Sequence, residues 1–279
     1  MAEITAAAVK ALRQQTGLPM MDCKKALQEA NGDAAKAVDL LRQSGAKLME
    51  KRAGRATTFG RIAVCLAPDG RRGAMVDLRC ESAPVAGNQE FVQLANDLAL
   101  QLATGPGAAT PEELLAQPSP SKPEQTLRQQ FEDLNHRIRE VFRLERVLRM
   151  EGGCGGYAHH NAAAGVLLQY EGGNGELARD LCMHVAAMRP KVTHREELDP
   201  AEVDRERAIL TEMSRKEGKP EKIIAKMVEG RLRDFYAARC LVDQPIANEM
   251  KFGKKTVAEV AKAAGMKPIR FVHWELPKE

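Results

Sequence analysis

Cys154, His159, His160, Cys182 and His184 are the side chains of this sequence whose chemistry comes closest to a metal site. Their spacings match no common structural zinc pattern, so a zinc-dependent hydrolase would need stoichiometric metal to support it. Gly152-Gly153-Cys154-Gly155-Gly156 is glycine-rich but lacks the dinucleotide-binding spacing, and is expected to be a turn. No phosphate-cradling G-x-x-x-x-G-K-[ST] loop occurs. Neither serine nor cysteine has a neighbouring base that suggests nucleophilic catalysis, although triads need not be local. Charge runs such as Arg205-Glu206-Arg207 read as solvated helix faces. What remains is contact chemistry. Met20 and Met21 follow Gly17-Leu18-Pro19 at the start of a predicted helix. Neighbouring helical residues point about 100° apart, so both rarely face a core. An exposed methionine beside leucine is an adaptable apolar contact for a partner. These residues describe a multidomain binding protein without catalytic chemistry, cofactor or metal.

The chain that must position them has 279 residues, enough for roughly two domains. It is 44% hydrophobic and 29% charged, the balance of a globular protein. No apolar run approaches the ~18–20 residues needed to cross a bilayer, and Met1-Ala2-Glu3-Ile4 opens no secretory signal. Six cysteines without a C-x-x-C pair read as reduced, cytosolic thiols, and cytoplasmic location is expected. The formal charge of +4 is too small to argue a nucleic-acid partner. With only 4% aromatics, the cores must be built mainly from Ala, Leu, Val, Ile and Met.

Three short helices are predicted first. Ile4, Ala8, Val9 and Leu12 share one face up to Thr16-Gly17. A second helix over 21–30 stops at Asn31-Gly32, and Asp33 caps a third that runs to Gly45. Leu12, Ala26, Leu27, Val38 and Leu41 offer its core, and the basic stretch 47–55 reads as a tether. A hairpin is expected over 61–78 with its turn at Asp69-Gly70, then a helix over 89–103. A strand over 165–170 and a helix over 176–188 echo that order. One constant offset matches Leu94 to Leu177, Ala95 to Ala178, Asp97 to Asp180 and Leu98 to Leu181, so the core reads as two related α+β halves. Between them, 104–123 reads as a loop. Leu127, Phe131, Leu134, Ile138 and Val141 then form a helical seam packed on its own domain. Asp199-Pro200 starts, and Pro220 restarts, a charged helical hairpin with Ile223, Ile224, Met227, Val228 and Phe235 as a stripe. A helix over 256–264 and a strand over 269–274 close the chain.

Particular stretches carry a resemblance. Leu12-Arg13-Gln14-Gln15-Thr16-Gly17, Met20-Met21-Asp22-Cys23-Lys24-Lys25-Ala26-Leu27, Asn31-Gly32-Asp33 and Ser44-Gly45-Ala46 are similar to the amino-terminal signature of bacterial elongation factor Ts. Met183-His184-Val185-Ala186-Ala187, Gly218-Lys219-Pro220-Glu221-Lys222-Ile223-Ile224, Met227-Val228-Glu229-Gly230-Arg231, Gln244-Pro245, Lys255-Thr256-Val257 and Ile269-Arg270-Phe271 continue it in order. The resemblance implies an α+β chain with a three-helix module like ubiquitin-associated domains at 1–46 and a basic linker at 47–55. It implies a core of two related subdomains with antiparallel sheets and packed helices, at 56–150 and at 151–198 with 243–279. A helical hairpin at 199–242 protrudes from the second.

By the same resemblance the function is guanine-nucleotide exchange on the GTPase elongation factor Tu, with no covalent chemistry and no nucleotide, nucleic acid or membrane bound directly. The implied contacts are Leu12, Met20 and Met21 on the first module and the turn Ser82-Ala83-Pro84-Val85. In the second half they are His184, with a core histidine as its alternative, and Ile246 and Ala247. The turn departs from the family's Thr-Asp-Phe-Val: Ala83 stands for the acid near the magnesium region and Pro84 for the aromatic wedge. Ala247-Asn248 likewise replaces an apolar pair. The alternative reading is therefore a GTPase-binding protein of the same fold with weakened or lost exchange. Pairing of the hairpin between two copies, giving a homodimer, stays open.

Overall fold

The computed structural model describes residues 4–52, 54–218 and 220–277. Ala53 of the expected linker and Lys219 of the hairpin motif lie outside the described residues. Helix α1 (Ala6–Thr16) is capped by Thr5, whose hydroxyl accepts from the Ala8 N–H at 3.2 Å, and ends at Gly17 with φ +67°. Val9 and Leu12 on its inner face meet Cys23, Ala26 and Leu27 of α2 (Met20–Glu29) and Ala37 and Leu41 of α3 (Ala34–Arg52). The third helix corrects the expected stop at Gly45, because the chain stays helical through Arg52 and so through the first part of the expected tether at 47–55. Gly45 is a packing residue. A Cβ built there would sit 2.8 Å from the His136 ring, so a side chain would push that ring away.

Strands β1 (Phe59–Leu66) and β2 (Arg72–Cys80) form the predicted hairpin, with Asp69-Gly70 in its turn. The short helix α4 (Ala83–Ala86) and the long α5 (Gln89–Thr104) follow. The stretch expected as a loop contains a further helix, α6 (Pro111–Leu115). Thr110 caps it, and its Leu114 and Leu115 are buried under the first core. Helix α7 (Leu127–Ile138) opens with a reciprocal cap between Thr126 and Gln129. Its Leu127 and Leu134 enter the same core, while Val141 is buried beyond the helix end. Strand β3 (Arg143–Glu151) then completes an antiparallel sheet in the order β1-β2-β3.

The second half repeats this plan. Strands β4 (Gly153–Ala158), β5 (Ala164–Gly172) and, from the chain's end, β6 (Met266–Glu275) make a second antiparallel sheet. Helix α8 (Gly175–Met188) covers it as α5 covers the first. Asn88 and Asn174 cap the two helices, and the paired residues Leu94/Leu177, Ala95/Ala178 and Leu98/Leu181 are all buried. The glycine-rich 152–156 stretch is a correction. Only Gly152, at φ +97°, makes the turn, and the rest is strand. Glycine serves close approach there, since a Cβ on Gly155 would lie 2.6 Å from the Ala178 Cβ and one on Gly156 2.8 Å from Val64. The two sheets pack face to face through Ile62, Met75, Met150, Cys154 and Leu167.

Helices α9 (Pro200–Lys216) and α10 (Glu221–Ala237) form the hairpin, capped by Asp199. Ile224, Val228, Leu232 and Phe235 pack on Leu198 and Leu210, whereas Ile223 faces outward. The short α11 (Glu249–Phe252) and α12 (Val257–Ala263) lead into β6. Among the described residues no helix is long and apolar enough to cross a membrane.

Candidate partner-binding surface

At the start of α2, the N–H groups of Asp22 and Cys23 both donate to the Pro19 carbonyl, at 3.0 and 3.1 Å. That turn drives Cys23 fully into the core and leaves Met20 49% and Met21 71% exposed. Leu12 is only 2% exposed, so it supports the methionines from within rather than standing on the surface with them.

The 82–85 turn is held from below. The Ser82 hydroxyl donates to Glu140 Oε1 at 2.6 Å, and the Ser82 N–H to Glu140 Oε2 at 3.1 Å. Glu81 accepts from the Val141 N–H at 2.7 Å and from Arg55 at 2.9 Å. Burial works against its charge, but those two donors hold its carboxyl below the usual glutamate range. Burial pushes the Cys80 thiol up to about 12, so it stays protonated against the Ser82 carbonyl. Val85 packs on the first core, and Arg61 donates to the Ala86 carbonyl at 3.3 Å. Ser82 and Val85 thus face inward, while Ala83 and Pro84 face solvent. Beside them runs an open cleft of about 650 Å³ between the halves, lined among others by Phe59, Arg61, Ala86 and Arg189.

In the second half His184 is 3% exposed. Its Nδ1 accepts from the Ala247 N–H at 3.1 Å, which leaves the proton on Nε2 to donate to Gln244 Oε1 at 2.8 Å. Burial pushes this imidazole below its ordinary range of 6.5, against the opposing pull of Gln244. Ile246 is buried and Ala247 exposed. Farther along, Lys251 bridges Glu176 and Asp180 of α8 at 2.6 and 2.7 Å. This clamp leaves Met250 wholly exposed, a residue that sequence reasoning missed. Its only signal was an apolar side chain inside the polar run Asn248-Glu249-Met250-Lys251.

The five residues weighed for zinc do not gather. Cys154 lies between the sheets, Cys182 is buried on α8, and His159 bonds Asn161. Among the described residues no three His, Cys, Asp or Glu side chains are grouped to hold a metal.

Comparison with known proteins gives the family. The family model described as Elongation factor TS matches residues 81–278. The chain belongs to the elongation factor Ts family. The Elongation factor Ts of Thioalkalivibrio sulfidiphilus is 38% identical over 98% of this chain and 92% of its own. Those of Saccharopolyspora erythraea and Aquifex aeolicus are 40% and 38% identical, covering 99% and 96% of this chain and the same shares of their own lengths. Membership makes this chain a translation elongation factor, and the match to relatives includes the amino-terminal module that precedes residue 81.

Proposed function

We propose that this protein is the cytoplasmic guanine-nucleotide exchange factor of elongation factor Tu. The observation that carries the reading is the end-to-end match to elongation factor Ts relatives, module and both halves included. The surfaces offered to the GTPase are Met20 and Met21, the outward Ala83-Pro84 pair, and the ridge at Ala247 and Met250. Leu12, Ile246 and His184 support these surfaces from beneath.

Exchange by such a protein needs no bond made or broken. A factor that prefers the nucleotide-free GTPase must, by reciprocal linkage, weaken GDP binding to the same degree. Each ~1.4 kcal/mol of preference weakens GDP about tenfold. The route is to disturb the magnesium and phosphate sites whose electrostatics hold the nucleotide. Abundant GTP then refills the empty site and gives the cycle its direction.

Stopped-flow release of fluorescent GDP from elongation factor Tu tests this. Micromolar or lower factor accelerates release; unchanged release refutes the proposal. The outward Ala83 and Pro84 support a second reading, in which the protein binds the GTPase without releasing GDP. A stable complex with an unaltered release rate distinguishes it.

A further inference from the structure

Residues 136–140, at the end of α7, touch the amino-terminal module and the first half in succession. The His136 ring lies against Gly45 of α3. Arg137 passes over Gly17, where a Cβ would sit 2.6 Å from its Cδ, and its Nη1 donates to Glu90 of α5 at 2.8 Å. Arg139 donates from Nη2 to the carboxylate of Asp22, the residue after Met21, and its carbonyl accepts from Arg52. Glu140 then takes both the hydroxyl and the N–H of Ser82. Arg139 adopts φ +64°, a left-handed conformation that disfavours any residue with a Cβ, and its Nε is buried without a partner. A strained backbone here aims one side chain at the module while the next side chain faces the turn.

The Asp22–Arg139 pair is partly exposed on both sides, and such pairs add little stability in water. Its geometric consequence is larger. Through two adjacent residues, the start of α2 is tied to the start of the 82–85 turn. We infer that the Arg139-Glu140 dipeptide is a positioning element that fixes the Met20/Met21 face relative to the 82–85 turn, so that one GTPase molecule meets both. Holding two contact surfaces in register raises the effective concentration of the second once the first is engaged. Free tumbling of the module would forfeit that gain. The functional half of this inference rests on the exchange-factor reading; the structural half does not.

Spin labels at Gln28→Cys and Glu112→Cys, in a Cys65→Ser background, report the distance from module to first half. The full chain is expected to give one narrow distribution. Asp22→Arg and Arg139→Glu should each broaden it and raise the factor concentration for half-maximal GDP release about tenfold, leaving the saturating rate within about twofold. The combined charge swap should restore both readouts. Asp22→Asn, a change on the partly exposed partner, repeats the distance test should Arg139→Glu fail to fold. A distribution unmoved by the single changes, or a loss confined to the saturating rate, overturns the inference. Failure of the unaltered protein to release GDP refutes the exchange reading, and the distances then decide positioning by themselves.

Discussion

Replacing both Met20 and Met21 by glutamine removes apolar contact while keeping side-chain length and a similar helix propensity. Complete burial of a methionine side chain contributes about 1.5–3 kcal/mol. With 49% and 71% still exposed, covering them fully would add about 0.7–1.5 and 1.1–2.1 kcal/mol. Ordering two flexible side chains opposes this by about 0.5–1.5 kcal/mol each, which at mid-range values leaves about 0.7 kcal/mol for the pair. The double variant should therefore raise the half-saturating factor concentration about threefold in stopped-flow GDP release. The rate at saturation should persist, since neither side chain needs to reach the nucleotide for this effect. Thermal unfolding should move by no more than about 2 °C, because exposed substitutions rarely cost more than about 0.5 kcal/mol. An unchanged half-saturating concentration refutes the contact. A large fall in unfolding temperature refutes the premise that the pair stands outside the core.

Restoring the family's outward pair with Ala83→Asp and Pro84→Phe should raise the saturating GDP-release rate while leaving stability unchanged, because both positions face solvent; equal rates would show that the wedge is dispensable here. Gly165→Val places a Cβ 2.5 Å from Ile62 Cγ2 between the sheets, and should lower stability by about 1–3 kcal/mol in urea unfolding. An unfolding midpoint equal to the parent's would mean that the sheets separate easily. Burial lowers the pKa values of His136, His184 and His273. The unfolded chain then binds more protons below pH 6.5, so stability is fully present above that value and falls as pH drops through the folded values. Urea midpoints should decline between pH 6.5 and 5, less steeply for His184→Asn, and a flat profile would contradict the burial argument.

Much of this architecture follows from short-range pattern. Val9 and Leu12, or Leu94 and Leu98, recur at helical spacing because one face must leave water, and Asp33 and Asp199 announce helix starts through their own side chains. The two-half organisation is legible for the same reason, since equivalent helices bury equivalent positions. Glycine is where the reading failed. At Gly45 and along 153–156 the residue is needed for close approach to His136, Ala178 or Val64, partners distant in sequence. A glycine that ends a helix and one that admits a neighbour look alike in a single chain. The 136–140 bracket was illegible for a related reason: its partners Gly45, Asp22 and Ser82 come together only in the folded chain.

The 82–85 turn shows how a contact can change while its scaffold does not. Its shape is set by groups that face the protein: Ser82 on Glu140, Val85 on the first core, and Glu81 on Val141 and Arg55. None of those interactions involves the side chain of Ala83 or Pro84. The departure that the resemblance implies, from Thr-Asp-Phe-Val, thus falls on the two outward positions, while the two inward ones carry a hydroxyl residue and a valine. An outward substitution alters what a partner touches without altering where the turn sits. The turn keeps its place through those inward contacts, while its outward face is smaller and stiffer than an aromatic side chain would make it.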